Sequence, residues 1–84
     1  MSDKEILKKQ IIYRSTHRGT KEMDLLLGSF VKFNINRLSE MDLKDLDNLM
    51  TTEDEILRKW YFEKNYEKLI PENKVSKMLK EFKL

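Results

Sequence analysis

The sequence predicts an all-α protein, a compact single-domain bundle of about five short helices over residues 1–84. Charged residues make up 38% of the chain, with only two glycines and one proline, which is typical of helices joined by short connections. Apolar residues recur at intervals of three and four, the spacing of helices with one buried face. A chain of 84 residues has room for one hydrophobic core, so a deep catalytic cleft is not expected.

The first helix is expected from about Asp3 to Ser15. Ser2 is followed three residues later by Glu5, which has the form of a capping box. The stretch from Ser15 to Gly19 then interrupts the apolar pattern with polar side chains and a glycine. This stretch is predicted to form an exposed corner between two helices.

The second helix is expected from Lys21 to about Asn34, with Thr20 as its N-cap. A glycine inside a helix costs about 1 kcal/mol relative to alanine, so Gly28 indicates either close helix packing or a bend towards a partner, and packing is favoured. The apolar stripe of this helix comprises Met23, Leu26, Leu27, Phe30 and Val31.

The third helix is expected to begin after Ser39 and to end near Thr51. Thr52 and Glu55 have the spacing of a further capping box, which predicts a fourth helix that continues to about Glu63. The apolar positions of the third helix are Met41, Leu43, Leu46, Leu49 and Met50.

The last helix is expected to contain Pro71 in its first turn, where the missing N–H of proline is tolerated. Its apolar face would comprise Val75, Met78, Leu79 and Phe82. Five helices then account for nearly the whole chain.

Charge is unevenly distributed along the chain, although the net charge is only +2. Residues 6–21 carry five bases and no acid, whereas residues 39–55 carry seven acids against one lysine. Opposed blocks of this kind either steer a partner or pair with each other inside the fold. The charge pattern alone does not decide between these two roles.

Several classes of function are not expected. The chain has no cysteine, which excludes a disulfide framework, a thiolate metal site and a cysteine nucleophile. No apolar run exceeds three residues, against the roughly 20 needed to span a bilayer, so no membrane association is expected.

The first nine residues mix acids with lysines and predict neither a secretory signal nor a mitochondrial presequence. A bacterial cytoplasm is favoured, or a mitochondrial matrix if the source is eukaryotic.

The most informative stretch is the predicted corner and the helix after it, which read Arg18-Gly19-Thr20-Lys21-Glu22 and then Met23-Asp24-Leu25-Leu26-Leu27. This stretch resembles the SdhE family, called succinate dehydrogenase assembly factor two in mitochondria, whose hallmark is Arg-Gly-x-x-Glu before an aliphatic helix that contains an aspartate. Residues 52–60, an acidic segment that leads to Trp60, resemble a second family segment. The resemblance covers roughly residues 10–82.

The resemblance implies an assembly factor rather than an enzyme. Its partner would be the flavoprotein subunit of succinate dehydrogenase and, in some bacteria, the related subunit of fumarate reductase. FAD would belong to that partner, and the assembly factor would promote covalent attachment of the flavin to a histidine of the partner. The chain itself is expected to hold no metal and no stably bound cofactor, to bind no nucleic acid and to be a monomer when free.

The resemblance also implies a partner-binding site without a catalytic residue. Arg18 offers a planar fork of donors, Gly19 permits a close approach of two backbones or a positive φ, and Glu22 follows one turn later. Three neighbours complete the expected site. They are Arg14, His17 and Asp24.

Other functions are open from composition alone. An enzyme would need a nucleophile and a base, or an acid and base pair, in a pocket, and the chain offers no convincing set. Nucleic-acid binding would use the basic stretch from Lys8 to Lys21, but the acidic block and the small net charge oppose it. A generic helical interaction module with another partner is the main alternative, because only the motif points to a flavoprotein.

Overall fold

The computed structural model describes residues 2–65 and 68–84, and within these ranges it is helical with no β-strand. The described residues form five α-helices and one 3₁₀ turn, at Ile35–Arg37, which links the second helix to the third. The α-helices are α1 (Asp3–Thr16), α2 (Lys21–Asn34), α3 (Glu40–Met50), α4 (Asp54–Glu63) and α5 (Lys74–Glu81). The all-α prediction is therefore confirmed.

Three predicted N-caps are confirmed. The side-chain oxygens of Ser2, Thr20 and Ser39 each accept a backbone N–H three residues further on, at 3.1–3.2 Å. At Ser39 the cap is reciprocal, because the Asp42 carboxylate accepts the Ser39 N–H in return. Such caps satisfy N–H groups that have no partner within the helix, so the starts of α1, α2 and α3 follow from local sequence.

The predicted starts of the last two helices are wrong. Thr52 does not cap α4, because the helix begins at Asp54 and Glu53 occupies its N-cap position. The Thr52 N–H donates to the Leu49 carbonyl at the end of α3. Pro71 lies before α5 rather than in its first turn. A reciprocal capping box between Asn73 and Ser76 starts α5 instead, with bonds of 2.9–3.0 Å. These local bonds take precedence over the weaker sequence signals.

The core lies between the helices and contains most of the predicted apolar stripes. Helix α1 packs against both α2 and α3, and α5 also packs against α3. Met41 does not contribute as predicted, since it is exposed in the first turn of α3. The largest fully buried side chains are Phe30, Ile11, Met23, Leu26, Leu27, Leu43, Leu46, Met50, Leu57 and Leu79.

Close helix packing does not explain why position 28 is a glycine. A Cβ atom at this position would lie 3.6 Å from the Thr16 Cγ2 atom and 3.9 Å from the Ser15 carbonyl oxygen, both ordinary van der Waals distances. The end of α1 therefore passes near Gly28 without requiring glycine there. The interpretation of Gly28 as a tight packing point is wrong.

No helix in the described part of the chain is both long and apolar enough to cross a membrane.

Candidate partner-binding site

The motif predicted from the sequence lies where α1 turns into α2. We call residues 17–22 the motif corner; they leave α1 at His17, pass through Arg18 and Gly19, and enter α2. The turn between α3 and α4 lies directly beside this corner, because residues 50–54 supply its hydrogen-bond partners. Two corners that are more than 30 residues apart in sequence thus form one unit.

The Arg18 side chain joins the two corners. Its Nε donates to the Asp54 carboxylate at 2.5 Å, Nη1 donates to the Met50 carbonyl at 2.6 Å, and Nη2 donates to the Thr52 carbonyl at 2.6 Å. Only 8% of the side chain is exposed. The planar guanidinium is suited to this arrangement, because it directs several donors at once toward fixed acceptors. Arg18 therefore acts inside the chain, and its donors are directed at the turn between α3 and α4.

Two carboxylates hold the backbone of the motif corner. The Asp24 carboxylate accepts the Arg18 N–H at 2.5 Å, and the Asp54 carboxylate accepts the Gly19 N–H in a short hydrogen bond. A Cβ atom at Gly19 would lie 3.0 Å from the Asp54 Oδ2 atom, and the φ angle of Gly19 is not positive. The close neighbour is thus the Asp54 side chain and not a second backbone. Neither reason predicted for this glycine, a close approach of two backbones or a positive φ, is confirmed.

The charges at this junction also match the helix dipoles. Met50 is the last residue of α3, where free carbonyls carry partial negative charge, and the Arg18 cation lies against one of them. Asp54 is the first residue of α4, where the free N–H groups favour an anion. Arg18 and Asp54 thus neutralise each other's charge, and each also offsets the partial charge of one helix end.

The two opposed charge blocks pair within the fold at a second point. Arg14 of α1 donates to the Asp47 carboxylate of α3 at 2.6 Å, with 40% of the arginine side chain exposed. The idea that the blocks complement each other inside the chain is therefore confirmed for Arg14 and Arg18. Neither arginine pairs with Glu22.

The outer side of the motif corner is formed by other side chains. The rings of Tyr13 and His17 stack with centroids 3.9 Å apart, and 62% of Tyr13 is exposed. His17 Nδ1 lies 2.8 Å from the Tyr13 carbonyl oxygen, which can only accept, so this nitrogen is the donor. Glu22 is exposed in the first turn of α2 and has no ion pair or side-chain hydrogen bond with any residue in the described ranges. A stacked ring pair and a free carboxylate are thus available to a partner.

The six predicted site residues therefore occupy one region but differ in orientation. Arg14, Arg18 and Asp24 are engaged within the chain, whereas His17, Gly19 and Glu22 are exposed. Their contact with a partner stays a prediction. Sequence reasoning missed Asp54 as a site residue, although Asp54 lies in the acidic segment noted for its resemblance. The signal was its position at the start of a helix within that segment.

Over residues 2–65 and 68–84, no cluster of histidine, aspartate and glutamate side chains could hold a metal ion. All buried side-chain polar atoms in these ranges have a hydrogen-bond partner.

Comparison with known proteins identified one family and several relatives. Residues 9–83 match the model of a family described as "Flavinator of succinate dehydrogenase". The chain is 41% identical over 64 residues to "Succinate dehydrogenase assembly factor 2, mitochondrial" of Dictyostelium discoideum, covering 76% of this chain and 45% of the relative. It is 33% identical over 73 residues to "FAD assembly factor SdhE" of Acetobacter pasteurianus, covering 87% and 64%.

A third relative, "FAD assembly factor SdhE" of Legionella pneumophila, is 49% identical over 43 residues, which cover 51% of this chain and 54% of the relative. The chain thus spans about half the length of the curated relatives it matches. No solved structure matched the chain.

Proposed function

The chain belongs to the family of succinate dehydrogenase flavinators, and we propose that it is an FAD assembly factor for the flavoprotein subunit of succinate dehydrogenase. In this role it binds that subunit and promotes covalent attachment of FAD, which supports assembly of the dehydrogenase. FAD belongs to the partner, and the chain holds no cofactor stably by itself. The role is that of a chaperone, without a catalytic residue.

One observation carries the proposal: the family match spans the motif corner and both segments that hold it in place. Arg18 and Gly19 are bound to Asp54, which fixes the corner to the start of α4. A surface held in advance loses less conformational entropy when it binds than a mobile one does. The corner is therefore suited to recognition of a folded partner.

The six site residues have two tasks in this proposal. Arg18, Arg14 and Asp24 position the corner through bonds within the chain. His17, Gly19 and Glu22 contact the flavoprotein, with Glu22 paired to a cation of the partner. A carboxylate without an internal partner keeps its full capacity to accept such a charge-assisted hydrogen bond.

The proposal extends to further properties of the chain. The related flavoprotein subunit of fumarate reductase is a second expected client, and the free chain is expected to be a monomer. Nucleic acid and membranes are not expected partners. The site of action is the compartment of the client, the cytoplasm of a bacterium or the mitochondrial matrix of a eukaryote, and the mitochondrial relatives support the second case.

The experiment is co-expression of the succinate dehydrogenase flavoprotein subunit with the wild-type chain, with the Glu22→Ala variant, or alone. The denatured client is then examined by in-gel flavin fluorescence. A covalent flavin band that strengthens with wild type and weakens with the variant is expected. Equal bands in all three samples, with all proteins folded, would leave a helical interaction module with another partner.

A further inference from the structure

A shallow groove lies between α1 and α2, next to the motif corner. Its volume is about 380 Å³, and its lining is mostly apolar. Ile12 of α1 and Leu25 of α2 both line the groove, with 46% and 59% of their surfaces exposed. Thr16 and Gly28 also line it, and the Lys32 side chain borders it.

The glycine in this groove is not explained by the fold. Glycine destabilises the interior of a helix relative to alanine, and the distances at Gly28 leave room for a methyl group. Internal packing would therefore be served better by alanine. A residue that lowers stability without an internal reason is typical of a surface that serves function.

The absence of a side chain at Gly28 deepens an apolar groove between two exposed aliphatic residues. Exposed aliphatic side chains around a concave surface mark a place where a partner removes apolar area from water. Glu22 lies three residues before Leu25 on α2, which places the two on neighbouring positions of one helix face. The groove thus continues the exposed surface of the motif corner.

We propose that this groove receives an aliphatic or aromatic side chain of the client flavoprotein, carried on a segment that also presents a lysine or arginine to Glu22. The inference rests on the proposed function and identifies the apolar part of the same recognition surface. Charge complementarity determines the chemistry of the segment, because Glu22 lacks an ion pair with any described residue. Burial of the client's apolar side chain supplies binding affinity, and the ion pair with Glu22 fixes the orientation of the bound segment.

The first test uses Gly28→Ala, which adds one methyl group to the groove. We expect the melting temperature to rise by about 4 to 8 °C, because alanine is the better helix former. We expect the dissociation constant of the complex with the purified, FAD-loaded flavoprotein subunit to rise several-fold, because the added methyl group takes up space in the groove that the client side chain would fill. Opposite changes in stability and affinity would not arise from a purely structural glycine.

The second test removes one rim of the groove and has a matched control. Ile12→Ser is expected to weaken client binding about tenfold, through the loss of a buried aliphatic side chain at the interface. Ile6→Ser is the control, because Ile6 lies on the same helix, is also 46% exposed and does not line this groove. The control should bind the client as wild type does, and circular dichroism should report equal helicity for both variants.

The outcomes separate the inference from the proposed function. If wild type binds the client and both Gly28→Ala and Ile12→Ser bind equally well, the groove assignment is overturned while the proposed function stands. If wild type does not bind the client at all, the proposed function fails and the groove assignment fails with it. A homodimer that Ile12→Ser dissociates would also overturn the assignment, because a second copy would then be the occupant.

Discussion

Replacement of Arg18 by lysine tests the joint between the two corners. Lysine retains the positive charge but carries its donors on one atom, so it can serve one of the three acceptor sites that Arg18 serves. The Met50 and Thr52 carbonyls would lose their guanidinium partners if the lysine stayed with Asp54. The substitution therefore removes two charge-assisted hydrogen bonds without removing the charge.

The expected loss of stability follows from these two bonds. Hydrogen bonds to charged groups contribute about 1.5 to 3 kcal/mol each. At the lower end of this range the two bonds together predict a loss of about 3 kcal/mol in the free energy of unfolding. For a domain of this size that corresponds to a fall of about 12 to 24 °C in melting temperature.

The assay is thermal unfolding followed by circular dichroism, with Glu22→Gln as the control. Glu22 is exposed and has no side-chain partner in the described ranges, so its substitution should change stability by no more than about 0.5 kcal/mol. Equal melting temperatures for Arg18→Lys and wild type would refute the assignment of Arg18 as the joint. A large loss in the Glu22→Gln control would refute the description of Glu22 as a free surface residue.

Three further predictions concern the core, the pH dependence and one helix end. Leu26→Ala should lower the free energy of unfolding by about 2 to 5 kcal/mol, because Leu26 is buried. The loss of cooperative melting in circular dichroism would reveal this destabilisation. Burial alone would raise the pKa of Asp42, but hydrogen bonds with Ser39 and Lys74 outweigh it and leave the pKa below its ordinary value of 3.8. The folded pKa is thus depressed, so Asp42 stabilises the fold above pH 3.8 and this contribution disappears as pH falls through the folded pKa. Asp42→Asn should lower the melting temperature at neutral pH and converge with wild type in stronger acid, whereas an equal deficit at both pH values would contradict the assignment. Lys64 closes α4 with a φ of 58°, so Lys64→Gly should raise stability by about 1 kcal/mol, and an unchanged or lower melting temperature would argue against that conformation.

Much of the fold could be predicted from the sequence because its signals are local. The caps at Ser2, Thr20 and Ser39 lie within four residues of the groups they satisfy, and the apolar stripe of α2 lies within four turns. The predictions for Thr52 and Pro71 were wrong where two local patterns competed. Glu53 rather than Thr52 occupies the N-cap position of α4, and the Asn73 capping box rather than Pro71 starts α5.

The location of the candidate site could be predicted from the sequence, but the contacts that hold it together could not. The Arg-Gly-x-x-Glu pattern pointed to the corner between α1 and α2, where the structure has it. The inward direction of Arg18 could not be predicted, because its acceptors at Met50, Thr52 and Asp54 lie 32 to 36 residues away. Only the tertiary fold brings these groups together, although the opposed charge blocks indicated that some such pairing was available.

Promotion of covalent FAD attachment to the flavoprotein subunit is the activity that we propose for this chain. The most direct measurement is a time course of covalent flavin, taken from denatured samples of purified flavoprotein subunit incubated with excess FAD, with and without the purified chain. We expect covalent flavin to accumulate faster with the wild-type chain than without it, and more slowly with the Glu22→Ala variant than with wild type. Identical time courses in all three samples, with a chain whose helicity and melting are intact, would contradict the proposed activity.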